Sequence, residues 1–446
     1  MDLVRSRIGQ LLLENLPFPS SAAVSILDFG CGTGEAVSLL WESLPFSKIC
    51  GTDERSVVDM ARSRFPTLSS CFIPLSDKIG LYDCVLTSRS IDEFADPEET
   101  LRKMRSLARR WVIATARAEK FPEDWWQKRG FAAYRDFTTE PYDGARWVAI
   151  YDDKGQGWFP ERPKVLIGSP VRQHPDILRE FLSSLSELDT SGFDPVFLFV
   201  DNNDTLAASR QLSEFAKRSL APVIIWRTPI VGRYLCDERT HRWNEQLIRR
   251  VAAFKDAIFE FALQNEMDSV LLVDSDLVLH PETVRRLLSH RLGIVAMVFW
   301  TRFMPEQPPL PNVWLHDSYG LYKRLRSEQI SLIEVQRRMD AFISAMRKEP
   351  GVYRVHGFGA CTLFPRIALE KGIRFEEIKG LTFWGEDRHL AIRAEALGIP
   401  SFADSSLPPF HIYRQDDLSK VPLYREICRR GLSPREFVEQ VIAIAA

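Results

Sequence analysis

In the stretch SVLLVDSDLVLHPETV, an apolar run from Val270 to Val273 delivers Asp274, Ser275 and Asp276 before Pro281 opens a helical pattern. Two acids one residue apart at the end of a strand are costly unless they hold something. In an α/β sheet the carboxyl ends of strands are where ligands bind, and a carboxylate pair there can grip a divalent cation that in turn grips a diphosphate. Asp and Ser also favour turns and helix caps whatever the function, so these three residues alone read either as a metal and diphosphate site or as a turn.

Further polar groups stand at comparable places. DPVFLFVDNND ends a β-rich run in Asp201, Asn202, Asn203 and Asp204, suited to a nucleotide base or ribose, or to a turn. FWGEDRHLAIRAEALGIP puts Glu386 and Asp387 at a helix start, where a carboxylate can serve as a base or simply complement the helix dipole. His411, in PPFHIYR, stands beside apolar residues and by itself reads as a packed core residue. Asp237, Glu238 and His241 fall in a polar loop and read as solvated surface rather than ligands. Trp300 and Trp384 either offer an aromatic face to a ligand or pack in a core.

The amino-terminal part carries a second constellation. SILDFGCGTGEAVSLLWESL runs a buried strand into Gly30, Gly32 and Gly34 and then into helical spacing. Glycines there permit a tight turn and close approach of the backbone to a ligand at the helix start. Nineteen residues beyond Gly34, at the end of KICGTDE, stands Asp53, placed to bond ribose hydroxyls.

These residues resemble class I S-adenosylmethionine-dependent methyltransferases: LDFGCGTG looks like their first motif and GTD like their second. The similarity continues through LYDCVLTSRSIDEF, LRKMRSLARRWVIATAR, GFAAYRDFT and RWVAIYDD, about 150 residues in all. The resemblance implies that Asp28, Gly30, Gly32, Gly34 and Asp53 hold S-adenosylmethionine, with Asp77 a candidate for the adenine. No catalytic base declares itself in SRSIDEF, which lacks the histidine found there in related small-molecule enzymes. Methyl transfer can proceed by in-line positioning, so both catalysis and cofactor binding without turnover stay open. Trp125 and Trp126 line an acceptor pocket or belong to the core.

DDKGQGWFPERPK concentrates charge, Gly and Pro and reads as a linker. The expected domains are 1–158 and 159–446. In the second, KVLIGSPVR, a helical pattern and the DNN strand give a βαβ start. The order of DNN strand, long helix near 250–264, DSD, a glycine strand with Gly357 and Gly359, and an ED helix resembles GT-A glycosyltransferases of the family 2 type. VDSD and GEDRHLAIRAEALG look like that family's DxD and ED motifs, and the likeness covers about 240 residues. It implies that Pro170 and Asp201 contact the nucleotide and that Asp274 contacts ribose or metal. Asp276, with His411, would bind Mn or Mg; Asp387 would be the general base, supported by Glu386. The chain departs from the family at GSPVR and at Lys255-Asp256, where Arg-Asn is expected.

Composition sets outer limits. The 446 residues are 45% hydrophobic and 26% charged, as in soluble globular chains, and the formal net charge of -2 gives no footprint of nucleic-acid binding. The run Leu292 to Trp300 is far short of the roughly 20 residues of a membrane span. Asp2, Arg5, Arg7 and Glu14 interrupt the amino-terminal apolar residues, unlike a secretory signal, so a cytoplasmic location is expected. Seven Cys without a CxxC pair signal neither zinc nor a disulfide framework.

The fold expected is α/β with two Rossmann-like domains. The function expected is a bifunctional enzyme: metal-dependent glycosyl transfer from a nucleotide sugar to a glycan or glycoconjugate hydroxyl, with S-adenosylmethionine-dependent methylation. The alternatives are a nucleotidyltransferase, whose usual Gly-rich basic start is missing from GSPVRQHPD, and a scaffold that holds ligands without turnover.

Overall fold

The computed structural model describes residues 2–137, 145–154, 160–229, 235–236, 241–324, 328–382 and 385–446. They form two compact units, Met1–Gln156 with Lys323–Ser327, and Gly157–Tyr322 with Glu328–Ala446. Each is α/β, the class the residue patterns imply.

The first unit holds strands β1 (Ser25–Phe29), β2 (Lys48–Asp53), β3 (Phe72–Pro74), β4 (Tyr82–Leu86), β5 (Ala108–Arg117), β6 (Ala132–Phe137) and β7 (Ala145–Asp152). Their order is β3-β2-β1-β4-β5-β7-β6. The first five run parallel, and β7 is antiparallel to both β5 and β6. Strands β1 and β2 are buried along almost their whole length, which is why they read as near-continuous apolar runs rather than alternating ones. The helix Pro97–Leu107 starts where Asp96 accepts from the Glu99 amide at 2.9 Å and Pro97 fills the first turn. Trp126 is fully buried in the core with Leu27, Val112 and Trp147, so its role is packing. Trp125, partly buried, stacks on Phe121 at 4.2 Å.

The second unit is built on β8 (Lys164–Val171), β9 (Asp194–Asp201), β10 (Val223–Arg227), β11 (Ser269–Leu272), β12 (Ile294–Met297), β13 (Val352–Val355), β14 (Thr362–Pro365) and β15 (Ser401–Asp404). The order is β10-β9-β8-β11-β14-β12-β15-β13, with β14 and β13 antiparallel to their neighbours. Strands β8, β9 and β11 therefore end on one edge, which carries Asp201 and Asp274.

After β11 the chain turns through Asp274–Asp276 into a short strand, Leu277–Val278, paired antiparallel with Phe410–His411. The apolar side of that ribbon, Val278, Phe410 and Ile412, packs on Tyr424, Ile427, Phe437 and Val441 of the helices Val421–Arg429 and Pro434–Ala445. The carboxy-terminal helices thus fix the height of His411 over the strand edge.

Two helix boundaries differ from the periodicity. The charged, helically spaced residues 327–347 predict a helix over that whole range, but it starts at Leu332, because the Ser331 side chain caps it by accepting from the Glu334 amide. The long helix expected from about 250 begins at Glu245, capped by Asn244. Among the described residues no helix is long and apolar enough to cross a membrane.

Gly34 heads the helix Glu35–Ser43 with φ +92°, and a Cβ there would stand 2.7 Å from the Phe72 ring. Gly34→Ala adds left-handed strain and overpacking, so chemical denaturation of the full chain should show a loss of about 2 kcal/mol or more. An unchanged denaturation midpoint would contradict this packing.

Candidate active sites

At the edge of the second unit, the Asp274–Asp276 turn is held locally by the Leu277 amide, which donates to the Asp274 carbonyl at 3.3 Å. The Ile412 amide donates to the Asp276 carbonyl at 2.9 Å, and the His411 ring reaches Asp276 Oδ2 from Nε2 at 3.5 Å. The other ring nitrogen, Nδ1, is 2.7 Å from the Thr301 hydroxyl. Both side chains are nearly buried, with exposures of 11% for His411 and 14% for Asp276. Among the described residues no three His, Cys, Asp or Glu side chains converge as a ready-made metal cage.

The helix Glu386–Ala396 begins at this same site. The buried Lys255 ammonium, from the middle of the helix Glu245–Gln264, lies 2.8 Å from Glu386 Oε1. Burial works against charge on Lys255, but the carboxylates of Glu386, Asp274 and Asp387 outweigh it and hold the ammonium above its ordinary range. Asp274 is pushed upward, first by burial and then by Asp276 and Glu386, against the pull of Lys255 and His411. Burial and the neighbouring Glu386 raise Asp387 to about 7, although Lys255 and the Tyr319 hydroxyl oppose them. A carboxyl poised near neutrality suits proton transfer. The residue next to Lys255 plays a different part, since Asp256 accepts from the amides of Phe375 at 2.7 Å and Glu376 at 3.0 Å.

Asp201 closes β9 opposite Val171 of β8. Its Oδ1 accepts from the Asn203 amide, the Asn203 side chain and the Ser209 hydroxyl, at 3.2, 2.8 and 3.0 Å, which fixes the turn into the helix Leu206–Arg218. Pro170 stands partly exposed beside it in β8. Trp300 is buried and packs. Trp384, Asp237, Glu238 and the His241 side chain lie outside the described residues.

In the first unit the glycine turn and Asp53 form one structure. The amides of Gly30 and Cys31 both donate to the Thr52 carbonyl, at 2.8 and 3.1 Å. Gly32 N donates to Asp53 Oδ2 at 2.9 Å and Glu54 N to Oδ1 at 2.8 Å, leaving lone pairs on both oxygens for a ligand. Gly30, Gly32 and Gly34 all have positive φ. The two oxygens of Asp28 take the Ser88 amide at 2.8 Å and the Ser88 hydroxyl at 2.6 Å, tying β1 to the loop after β4. Asp77 makes an exposed ion pair with Arg55 at 2.7 Å. In SRSIDEF, Asp92 is engaged by Arg117 Nε at 2.8 Å.

Sequence spacing alone did not single out Ser88, Thr301 or Tyr319. Each acts through a partner far along the chain, so no local pattern marks it; Lys255 carried one signal, its departure from the expected Arg.

No protein-family model matches the chain. The chain is 30% identical over 117 residues to the malonyl-[acyl-carrier protein] O-methyltransferase of Acetivibrio thermocellus, covering 25% of this chain and 41% of that protein. It is 40% identical over 63 residues to the trans-aconitate 2-methyltransferase of Variovorax paradoxus, 14% of this chain and 24% of the relative. It therefore spans less than half the length of either curated relative. Among solved structures, the mannosyltransferase PcManGT from Pyrobaculum calidifontis, in complex with GDP-Man and Mn2+, is similar over 64% of this chain and 69% of its own, at 14% identity and a TM-score of 0.32.

The raised Asp387 predicts a pH signature. Its folded-state value near 7 exceeds the unfolded carboxylate value of about 3.9, so the group lowers stability as pH rises between those values. Asp387→Asn should remove that slope, melting higher than wild type above pH 7 and converging with it towards pH 4. Melting curves that stay parallel across this range would contradict the assignment.

Proposed function

We propose that this chain is a transferase whose second unit moves a glycosyl group from a nucleotide sugar to an acceptor hydroxyl, and whose first unit binds S-adenosylmethionine and transfers its methyl group. The observation that carries the first half is the meeting, at one strand edge, of the Asp274–Asp276 turn, the His411 ribbon and the Glu386–Asp387 helix start.

Pro170 and Asp201 would seat the nucleotide, with Asp274 on its ribose. Asp276 and His411 would hold Mn or Mg; two protein donors suit a cation that takes its other ligands from the donor diphosphate and water. In the tautomer whose Nδ1 donates to the Thr301 hydroxyl, His411 Nε2 keeps the lone pair such binding needs. When bound, the cation offsets charge on the departing nucleoside diphosphate. Asp387 takes the proton of the acceptor hydroxyl as its oxygen bonds to the anomeric carbon and the bond to the diphosphate breaks. A single carboxylate base suits direct displacement with inversion. Lys255 offsets the acids and keeps Glu386 in place beside the base.

The methyl half rests on the glycine turn, Asp53 and the stretches shared with curated methyltransferases. Asp53 is placed for ribose hydroxyls, and the glycines let the backbone approach the cofactor. With Asp92 engaged by Arg117, the fit is to in-line transfer by positioning. The acceptor we infer is a glycan or glycoconjugate, and the product of one unit serves as substrate for the other. The near-balanced charge gives no support to a nucleic-acid partner, and we place the enzyme in the cytoplasm.

A panel of UDP-, GDP- and TDP-sugars with Mn, read by thermal shift and donor hydrolysis, tests this reading. One donor class should stabilise the wild type by several degrees and be hydrolysed, while Asp276→Ala loses both responses by tenfold or more; S-adenosylmethionine should stabilise both proteins equally. Stabilisation by S-adenosylmethionine with no response to any donor would sink the glycosyl half.

A further inference from the structure

Asp387 is gripped from outside its own helix by one turn of chain. The strand Val313–Trp314 pairs with Gly357–Phe358, and the turn that follows is closed by the Leu315 amide on the Gly320 carbonyl at 2.8 Å. At its tip Tyr319 adopts φ +61°, a strained conformation that a bulky side chain rarely takes. Such strain persists only where the surroundings over-determine it. Here they do: the Tyr319 ring lies against Trp314, centroids 4.7 Å apart, and Trp314 in turn lies over Gly357, where a Cβ would stand 1.9 Å from the indole.

The outcome is that the Tyr319 hydroxyl donates to Asp387 Oδ1 at 3.1 Å. The Arg388 amide donates to the same oxygen at 2.8 Å, and the Arg388 guanidinium returns to the turn through the Asp317 carbonyl at 2.7 Å. Gly385 completes the fit, since a Cβ there would be 2.5 Å from the Tyr319 hydroxyl and 2.9 Å from Asp387 Oδ1.

We propose that Tyr319 is a positioning residue for the base: with the Arg388 amide it pins Asp387 Oδ1, so that Oδ2 is the oxygen that takes the acceptor proton. The base role rests on the glycosyl-transfer reading above; the pinning does not. Among the described residues, Glu386, Lys255 and Tyr319 are the titratable groups that act most on Asp387, and Tyr319 supplies a hydrogen bond to the carboxylate form that phenylalanine cannot replace. Because that bond favours the ionised acid, its loss moves Asp387 upward in pH.

The test uses the full chain as wild type, Tyr319→Phe and Gly385→Ala. Asp387 is labelled with a water-soluble carbodiimide and glycine methyl ester across pH 5 to 9, and the label is quantified on its peptide by mass spectrometry. Tyr319→Phe keeps the ring on Trp314, so the fold should survive, while the labelling midpoint rises by about half a unit to one unit. Gly385→Ala, which displaces the hydroxyl, should shift it in the same direction. A midpoint unmoved in both variants overturns the proposal. With UDP- or GDP-sugar hydrolysis in Mn as the second readout, Tyr319→Phe should lower kcat about tenfold at unchanged donor KM, the high-pH plateau being reached later. An unchanged kcat in the variant of an active wild type also overturns it. If the midpoints shift while the wild type hydrolyses no donor, the pinning stands and the glycosyl-transfer reading fails.

Discussion

Three carboxyl groups, Asp274, Glu386 and Asp387, stand at one edge of the second unit's sheet, and the Lys255 ammonium among them makes that tolerable. Buried acids brought together without a cation neutralise or unfold the site around them. The long helix Glu245–Gln264 is the element that delivers this cation, and Asp256, its next residue, fastens the helix to the segment ahead of the ED pair. Charge balance and mechanical connection therefore come from consecutive residues. The remaining imbalance falls on Asp387, which keeps its proton near neutrality. That is a poor choice for stability and a good one for a base, the trade expected where a fold is shaped by chemistry.

The first unit solves a different problem with similar economy. A glycine turn exposes backbone amides, and here two of them are satisfied by the Thr52 carbonyl and one by Asp53, so the turn is tied to the end of β2 by its own hydrogen bonds. Pre-organisation of this kind lowers the ordering cost of binding.

Much of this was legible in the residues. The apolar runs ending in Asp53, Asp201 and Asp274 marked strand ends, because a buried parallel strand has to be apolar until it reaches solvent or a ligand. The three glycines marked a turn that other residues enter only with strain. Long-range partners were not legible. That Asp28 faces Ser88, sixty residues away, or that a turn at Tyr319 reaches the ED helix, follows from how strands and loops assemble rather than from any local period. The start of the helix at Leu332 was missed for a simpler reason: the charged residues before it fit the helical period, and only the Ser331 cap stops them.

On the proposed mechanism, Asp276 and His411 form half of a cation site that a nucleotide diphosphate completes. Electron paramagnetic resonance of free Mn(II), titrated with the protein alone and with UDP or GDP present, tests it directly. With Asp276 and His411 as the two protein donors, the account predicts weak binding of Mn by the protein alone and at least tenfold tighter binding when one of the two diphosphates is present. Mn affinity that neither UDP nor GDP changes would contradict it, and would return the DSD stretch to the status of a turn.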